Sequence, residues 1–237
     1  MVKDRTKKVQ VQKKSGNGRL FLLLGLVAVV AIAAVVMTGG EPKPDTFPVD
    51  PAQPPVTAQG FTMGSPDAPV EVQEWADFEC PGCMHFATLT EPDVRQRLVE
   101  TGQVRFTYFF FPLTSIHRSA ASAAYAAACA ADQDRFWEMH DAIYNGFDDW
   151  AGGRARDPKG VFRRYAERIG MDVAAWEACY DGDSKKALIQ SHVTAGVQRG
   201  VESTPTFFIN GVKIEGGLPI QYFEQAIAYE LEKASPQ

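Results

Sequence analysis

Two thiols stand three positions apart in Cys80-Pro81-Gly82-Cys83, at the point where an apolar stretch gives way to a helix start. A pair at this spacing can close a small disulfide ring. Its two members are not equivalent. Cys80 falls where the first backbone N–H groups of a helix have no intrahelical acceptor, so an anion is stabilised there and the thiolate is favoured. Cys83 lies one turn further in, where it is shielded and keeps an ordinary or raised pKa. One sulfur that attacks and leaves easily, beside one that resolves, is what thiol–disulfide exchange requires.

Two other chemistries use the same spacing. A zinc knuckle needs a second close pair, but Cys129 and Cys179 stand alone and far apart. A c-type haem attachment needs His directly after the second Cys; here Met84 intervenes and His85 comes one position late. His85, His117, His140 and His192 are scattered and form no ligand spacing, so no metal site and no cofactor is expected from them.

The elements that must position the thiols follow from periodicity and punctuation. Val70 to Ala76 reads as a strand, with Val70, Val72 and Glu74 sharing one face by the two-residue period. Glu74 thus projects beside two valines, six positions before Cys80. There a carboxyl is either held in its neutral form and able to relay protons during exchange, or is a solvated edge residue. Asp77 falls in the loop. A helix is expected from Pro81 to Glu100, with Pro81 in the first turn and a kink or break at Glu91-Pro92. Gly102 ends it, and Val104 to Phe111 is a β-prone run. Strand, helix and strand make a βαβ unit with the dithiol at the carboxyl end of its first strand.

Residues 113–203 read as helices: an Ala-rich one over Ser115 to Ala131, then Asp134 to Asn145, one opened by Asp157-Pro158, Asp172 to Tyr180, and Ser184 to Arg199. Thr206 to Asn210 and Val212 to Glu215 are short strands joined through Asn210-Gly211, a strong hairpin signal. Pro219 opens a last helix. Thr204-Pro205 stands before the hairpin either as an ordinary strand boundary or as a cis peptide bond turning the Thr204 backbone towards the dithiol, where a substrate strand pairs with it.

The front of the chain has its own character. Residues 1–19 carry seven Lys and Arg against Asp4, a net +6 in a chain of net −5, so the rest is acidic at −11. An acidic body argues against nucleic acid as a partner. Leu20 to Met37 is an unbroken apolar run without charge. As a helix it spans about 27 Å, near the hydrocarbon thickness of a bilayer. A cleaved signal peptide is the alternative, with Ala31-Ile32-Ala33 as its cleavage site. The organisation expected is a basic cytoplasmic tail at 1–19, a transmembrane anchor at 20–38, a Pro-rich linker at 39–60, and a domain at 61–237 on the extracytoplasmic side. In an oxidising compartment four cysteines suit disulfides better than zinc.

Cys-Pro-Gly-Cys after a strand, a helical block, and Ser203-Thr204-Pro205-Thr206-Phe207 entering an Asn-Gly hairpin together resemble the DsbA-like thiol–disulfide oxidoreductases, and most of all their membrane-anchored branch, which includes BdbD-like proteins. The resemblance covers roughly residues 61–234. It implies an α/β thioredoxin fold with a large helical insertion at about 113–203, Cys80 as the sulfur that attacks and is attacked, Cys83 as resolver, and Pro205 in cis. Glu74 matches the family's buried acid. Phe110-Pro112-Leu113 with His117, and Phe136 to Asp141 including His140, look like structural signatures of the insertion. Gly82 departs from the best-known member, which has His between its cysteines; a milder oxidant is the expectation.

Cys129 and Cys179, fifty positions apart in the helical block, form either a structural bridge between insertion helices or two buried free thiols. The expected function is donation of disulfides to unfolded exported proteins with free thiols. The resemblance implies reoxidation by a quinone-linked membrane oxidase of the DsbB or VKOR kind. A reductase or isomerase on the same fold, a haem or metal protein, and a binding module with an idle dithiol are the alternatives.

Overall fold

Val70–Ala76 (β2) is the middle strand of a five-stranded sheet of order β1-β3-β2-β4-β5, whose other members are Phe61–Met63 (β1), Val104–Phe110 (β3), Thr206–Ile209 (β4) and Val212–Glu215 (β5). The computed structural model describes residues 47, 49–50 and 52–234, and the apolar run Leu20 to Met37 lies outside them. Among the described residues no helix is long and apolar enough to cross a membrane. β2 pairs in parallel with β3, from Val70 opposite Val104 to Ala76 opposite Phe110, and antiparallel with β4, from Val72 opposite Ile209 to Trp75 opposite Thr206. The parallel pair is the βαβ unit expected from the sequence, and the central position of β2 is why its alternation breaks down. Covered on both faces, it buries Glu74, Trp75 and Ala76 in succession.

The crossover helix runs over residues 81–99, but not as one regular α-helix. Pro81–His85 (α1) and Glu91–Val94 (α2) are α-helical, while Phe86–Thr90 and Arg95–Val99 are wound more widely, with i→i+5 bonds. The Glu91 N–H bonds Phe86 O, so the wide turn ends where Pro92 lacks a donor. The expected break at Glu91-Pro92 is therefore a change of winding and not an interruption. This helix and the last one, Ile220–Ala234, cover one face of the sheet through Phe86, Val94, Leu98, Phe223 and Ile227.

The other face is covered by the insertion. Its helices are Ala120–Ala130 (α3), Phe136–Asn145 (α4), Phe147–Trp150 (α5), Lys159–Arg168 (α6), Val173–Asp181 (α7) and Lys186–Gln198 (α8), and Ile220–Ala234 completes the chain as α9. Every residue of α3 is buried, and its alanines let neighbouring helices approach closely. Trp150 and Trp176 are buried with their indole N–H groups bonded to Ile143 O and Ala126 O at 3.0 Å. Each such ring contributes roughly 1.5–3 kcal/mol by burial. Gly196 on α8 is required by packing, because a Cβ there would lie 2.7 Å from the Trp75 ring.

Two elements differ from expectation. The helix read over Ser115 to Ala131 begins only at Ala120, because residues before it are held by side chains of the loop preceding Cys80. The strand Phe61–Met63 was not read as such, being three residues long and defined by pairing with β3. Of the region read as a linker, Phe47 is buried, and the Val56 N–H donates to Gln198 Oε1 at 2.9 Å. Gln59 O pairs with His192 Nε2 at 2.8 Å.

Candidate active site

The loop from Asp77 to Cys80 leaves the end of β2 and is fastened by two buried carboxylates. Asp77 Oδ1 accepts the Glu79 N–H at 2.7 Å, and its Oδ2 accepts the Leu113 N–H at 2.8 Å and meets His117 Nδ1 at 2.7 Å. Glu79 accepts the Ser119 N–H at 2.6 Å and the Gly152 N–H at 2.9 Å. The Cys80 N–H in turn donates to Asp77 O at 3.1 Å. Glu79 is given no role by the sequence, and Asp77 ranks there below Glu74 as a proton relay because it falls in the loop. Their chemistry is charge-assisted bonding of backbone donors that would otherwise be buried without partners.

Cys80 caps α1 in an extended conformation, and the Met84 N–H donates to its carbonyl at 3.0 Å. Both thiols are free; Cys80 is 9% exposed and Cys83 is fully buried. The pKa of Cys80 is lowered to about 5, first by donation from the Cys83 thiol, against the opposing effect of burial. The Thr204 side chain and the backbone N–H groups of Cys83 and Gly82 add to the lowering. The Thr204 hydroxyl is buried without another partner among the described residues. Cys83 is pushed well up by burial, then by the bond it gives to Cys80. The division of labour read from the motif is thus present in the geometry, although a neighbouring S–H contributes more than the helix terminus.

Above the dithiol, the Thr204-Pro205 peptide bond is cis and the protonated Cys80 sulfur donates to Thr204 O at 3.3 Å. A Cβ on Gly82 would lie 3.3 Å from Pro205 Cδ. A groove of about 380 Å³ opens alongside, lined among others by Gly82, His85, Leu89, Leu218 and Pro219. Leu89 is 73% exposed, an apolar edge of this groove.

Glu74 lies on the inner face of β2, opposite Tyr108 and Phe207 in register, and is 1% exposed. It is not a solvated edge residue. Burial raises its pKa well above the ordinary value, and the neighbouring Glu91 raises it further. Its charge is felt by Cys83. The structure therefore brings together Cys80, Cys83, Thr204 and Pro205, with Glu74 behind them. Cys129 and Cys179 are bonded to each other, S–S 2.02 Å, in the insertion, joining α3 to α7.

Two histidines that the sequence offered only as structural signatures carry interactions near the site. His117 is held towards its charged form first by Asp77, against burial, with Cys80 and Glu79 adding to the effect. His140 is buried against the acids behind Cys83. No spacing rule in the sequence links either to the dithiol, because each arrives from a different helix or turn of the insertion. Among the described residues no three His, Cys, Asp or Glu side chains converge to hold a metal ion.

Residues 57–228 match the thioredoxin family. The Na(+)/H(+) antiporter NhaA 3 of Salinispora tropica is 37% identical over 180 residues, covering 76% of this chain and 25% of the antiporter. The chain thus spans about a quarter of the length of the curated relatives it matches first. The probable disulfide bond formation protein D of Bacillus anthracis is 34% identical over 83 residues, 35% of this chain and 38% of that protein. Among solved structures, alpha-DsbA1 of Wolbachia pipientis superposes with a TM-score of 0.65 at 25% identity, covering 73% of this chain and 91% of that one. Oxidised BdbD of Bacillus subtilis gives 0.62 at 19% identity, covering 76% and 100%. These likenesses establish a thioredoxin fold with the DsbA-type helical insertion.

Proposed function

The chain belongs to the thioredoxin family, and from that premise we propose that it oxidises the thiols of unfolded exported proteins through Cys80 and Cys83. The observation that carries the reading is the opposite displacement of the two thiols, Cys80 down to about 5 and Cys83 well up, across one helical turn. A sulfur that holds negative charge readily is a good leaving group, and its stabilisation favours the reduced protein, which makes the oxidised form a donor of disulfides.

The chemistry balances as follows. A substrate thiolate attacks Cys80 Sγ in the oxidised pair; the new S–S bond forms as the Cys80–Cys83 bond breaks. Cys83 leaves as a thiolate and, being fully buried, takes a proton from Glu74, whose carboxyl burial keeps neutral. The substrate's second thiol loses its proton to solvent and attacks the mixed disulfide. Cys80 departs as the stabilised thiolate, leaving the substrate oxidised and the protein reduced by two electrons. Thr204 O, 3.3 Å from Cys80 Sγ, offers an acceptor to the backbone of an extended substrate, and the groove beside Leu89 accepts its apolar side chains.

Reoxidation is assigned to a quinone-linked membrane oxidase of the DsbB or VKOR kind. The apolar run Leu20 to Met37, preceded by a basic tail, supports a single anchor that keeps the domain on the extracytoplasmic side near that partner. The deciding experiment is a redox titration of the purified protein against glutathione, with mixed disulfides trapped on a Cys83→Ala variant. A potential between those of protein disulfide isomerase and the strong oxidant DsbA, about −180 and −120 mV, is expected. A potential near the reductant thioredoxin, about −270 mV, would reassign the protein as a reductase.

A further inference from the structure

Behind Cys83, three buried polar atoms lack hydrogen-bond partners among the described residues: Glu74 Oε2, Glu91 Oε2 and His140 Nε2. Leaving one such atom unpaired costs about 1–3 kcal/mol, so three of them call for a reason other than packing. Glu91 is fully buried and His140 is 1% exposed. Glu91 stands eight positions after Cys83 on the crossover helix. Glu74 on the facing strand interacts electrostatically with both Cys83 and Glu91. Beyond Glu91, His140 Nε2 lies 3.7 Å from Glu91 Oε2. On the far side of the same ring, His140 Nδ1 lies 2.9 Å from Asp141 Oδ1, whose side chain is 44% exposed.

The surrounding groups fit this order. Arg95, from the crossover helix, gives Glu91 Oε1 two bonds, at 2.8 and 2.6 Å, and leaves Oε2 free towards His140. It also donates to both Asp141 oxygens, at 3.0 and 2.8 Å, and passes 3.4 Å from His140 Nδ1. Tyr108 from β3 and Tyr144 from α4 wall the ring edge-on, 5.1 and 4.8 Å between centroids. The titratable groups facing His140 are thus Glu91 and Arg95 from one helix, Asp141 and Tyr144 from its own, and Tyr108 from the sheet.

We propose that Glu91, His140 and Asp141 conduct the proton that Cys83 exchanges with Glu74 between the buried site and the surface. When the reduced protein is oxidised, the Cys83 sulfur attacks Cys80 Sγ in the mixed disulfide and the partner's sulfur leaves as a thiolate, while Glu74, neutral at rest, passes its own proton outward and receives that of Cys83. Glu74 hands a proton to Glu91 Oε2, and Glu91 to His140 Nε2. The Nδ1 proton of His140 leaves through Asp141 to water. When the protein donates a disulfide the same path runs inward. Electrons stay with the sulfurs, and the chain moves one proton per turnover.

The inference rests on the dithiol reading above, and the test separates the two. Reduced full-length protein is mixed with oxidised glutathione, quenched in acid and weighed by mass spectrometry across a range of pH. The first step, attack by Cys80, forms a glutathione adduct and needs no proton from Cys83; the second, displacement by Cys83, does. In His140→Gln the first step keeps its wild-type rate, while the second slows at least about tenfold, becomes more dependent on hydroxide, and lets the adduct accumulate. A second step with wild-type rate and pH profile in folded His140→Gln overturns the relay. Equal slowing of both steps also overturns it, since that is what a loosened site produces. If His140→Gln does not fold, Asp141→Asn at the exposed end decides by the same comparison, slowing the second step alone if the path is real. A wild-type protein that forms neither the adduct nor the Cys80–Cys83 disulfide would instead refute the dithiol reading.

Discussion

Replacing Cys83 by alanine removes the S–H that does most to lower the pKa of Cys80 to about 5. A hydrogen bond to a charged acceptor is worth about 1.5–3 kcal/mol, and one pKa unit corresponds to about 1.4 kcal/mol. The upward shift is therefore about one to two units; the backbone donors of Gly82 and Cys83 remain, so Cys80 stays more acidic than free cysteine at about 8.5. At pH 7 the wild-type sulfur has about a hundred thiolates per thiol, and the variant about ten or fewer. The assay is a pH titration of thiolate absorbance, paralleled by the rate of alkylation with iodoacetamide. A wild-type value near that of free cysteine would refute the reasoning outright. An unshifted value in Cys83→Ala would show that the helix terminus, and not the neighbouring thiol, carries the effect.

Three further outcomes are expected. Replacing both Cys129 and Cys179 by alanine opens a loop of separation 50 and lowers stability in urea by about 4 kcal/mol on the chain-entropy model; a loss under about 1 kcal/mol would contradict it, and Cys80 acidity should not move. Glu74→Gln slows the proton-coupled displacement by Cys83 and removes one component of pH-dependent stability. The native Glu74 pKa lies above its ordinary 4.5, so the stabilisation is complete below that value and is lost as pH rises through the native one; a wild-type stability profile in the variant would oppose the assignment. For Cys80 the sign is reversed. With a native value of about 5, its ionisation stabilises the reduced fold fully above about pH 8.5 and fades as pH falls through about 5. Allowing for solvent screening, the reduced form should lose about 1 kcal/mol relative to the oxidised form between pH 7 and pH 5, measured by urea unfolding of both.

Local chemistry made much of the site legible. The strand Val70–Ala76 is where alternation and β-branching put it, and the Asn210-Gly211 hairpin closes with positive φ at both residues, 45° and 85°. Asp172 caps α7 by accepting the Ala175 N–H at 3.0 Å. What escaped has a common cause. The strand Phe61–Met63 is too short to show a period and exists through its partner β3. Residues 115–119 have helix-compatible types but are claimed by Asp77 and Glu79 from across the chain, and tertiary bonds to buried carboxylates outweigh a few tenths of a kcal/mol of propensity per residue.

The amino-acid order alone determines that two thiols sit one turn apart at a strand-to-helix junction, that Glu74 shares a strand face with Val70 and Val72, and that Thr204-Pro205 precedes a hairpin. These are consequences of the two- and 3.6-residue periods, which act over a few positions. Tertiary structure decides how far each group's charge is permitted. It brings Thr204 to Cys80 across 124 positions, and sets His140 beside Glu91 from a separate helix. Solvation and electrostatics depend on distance in space, so acidity belongs to the folded neighbourhood and not to the motif.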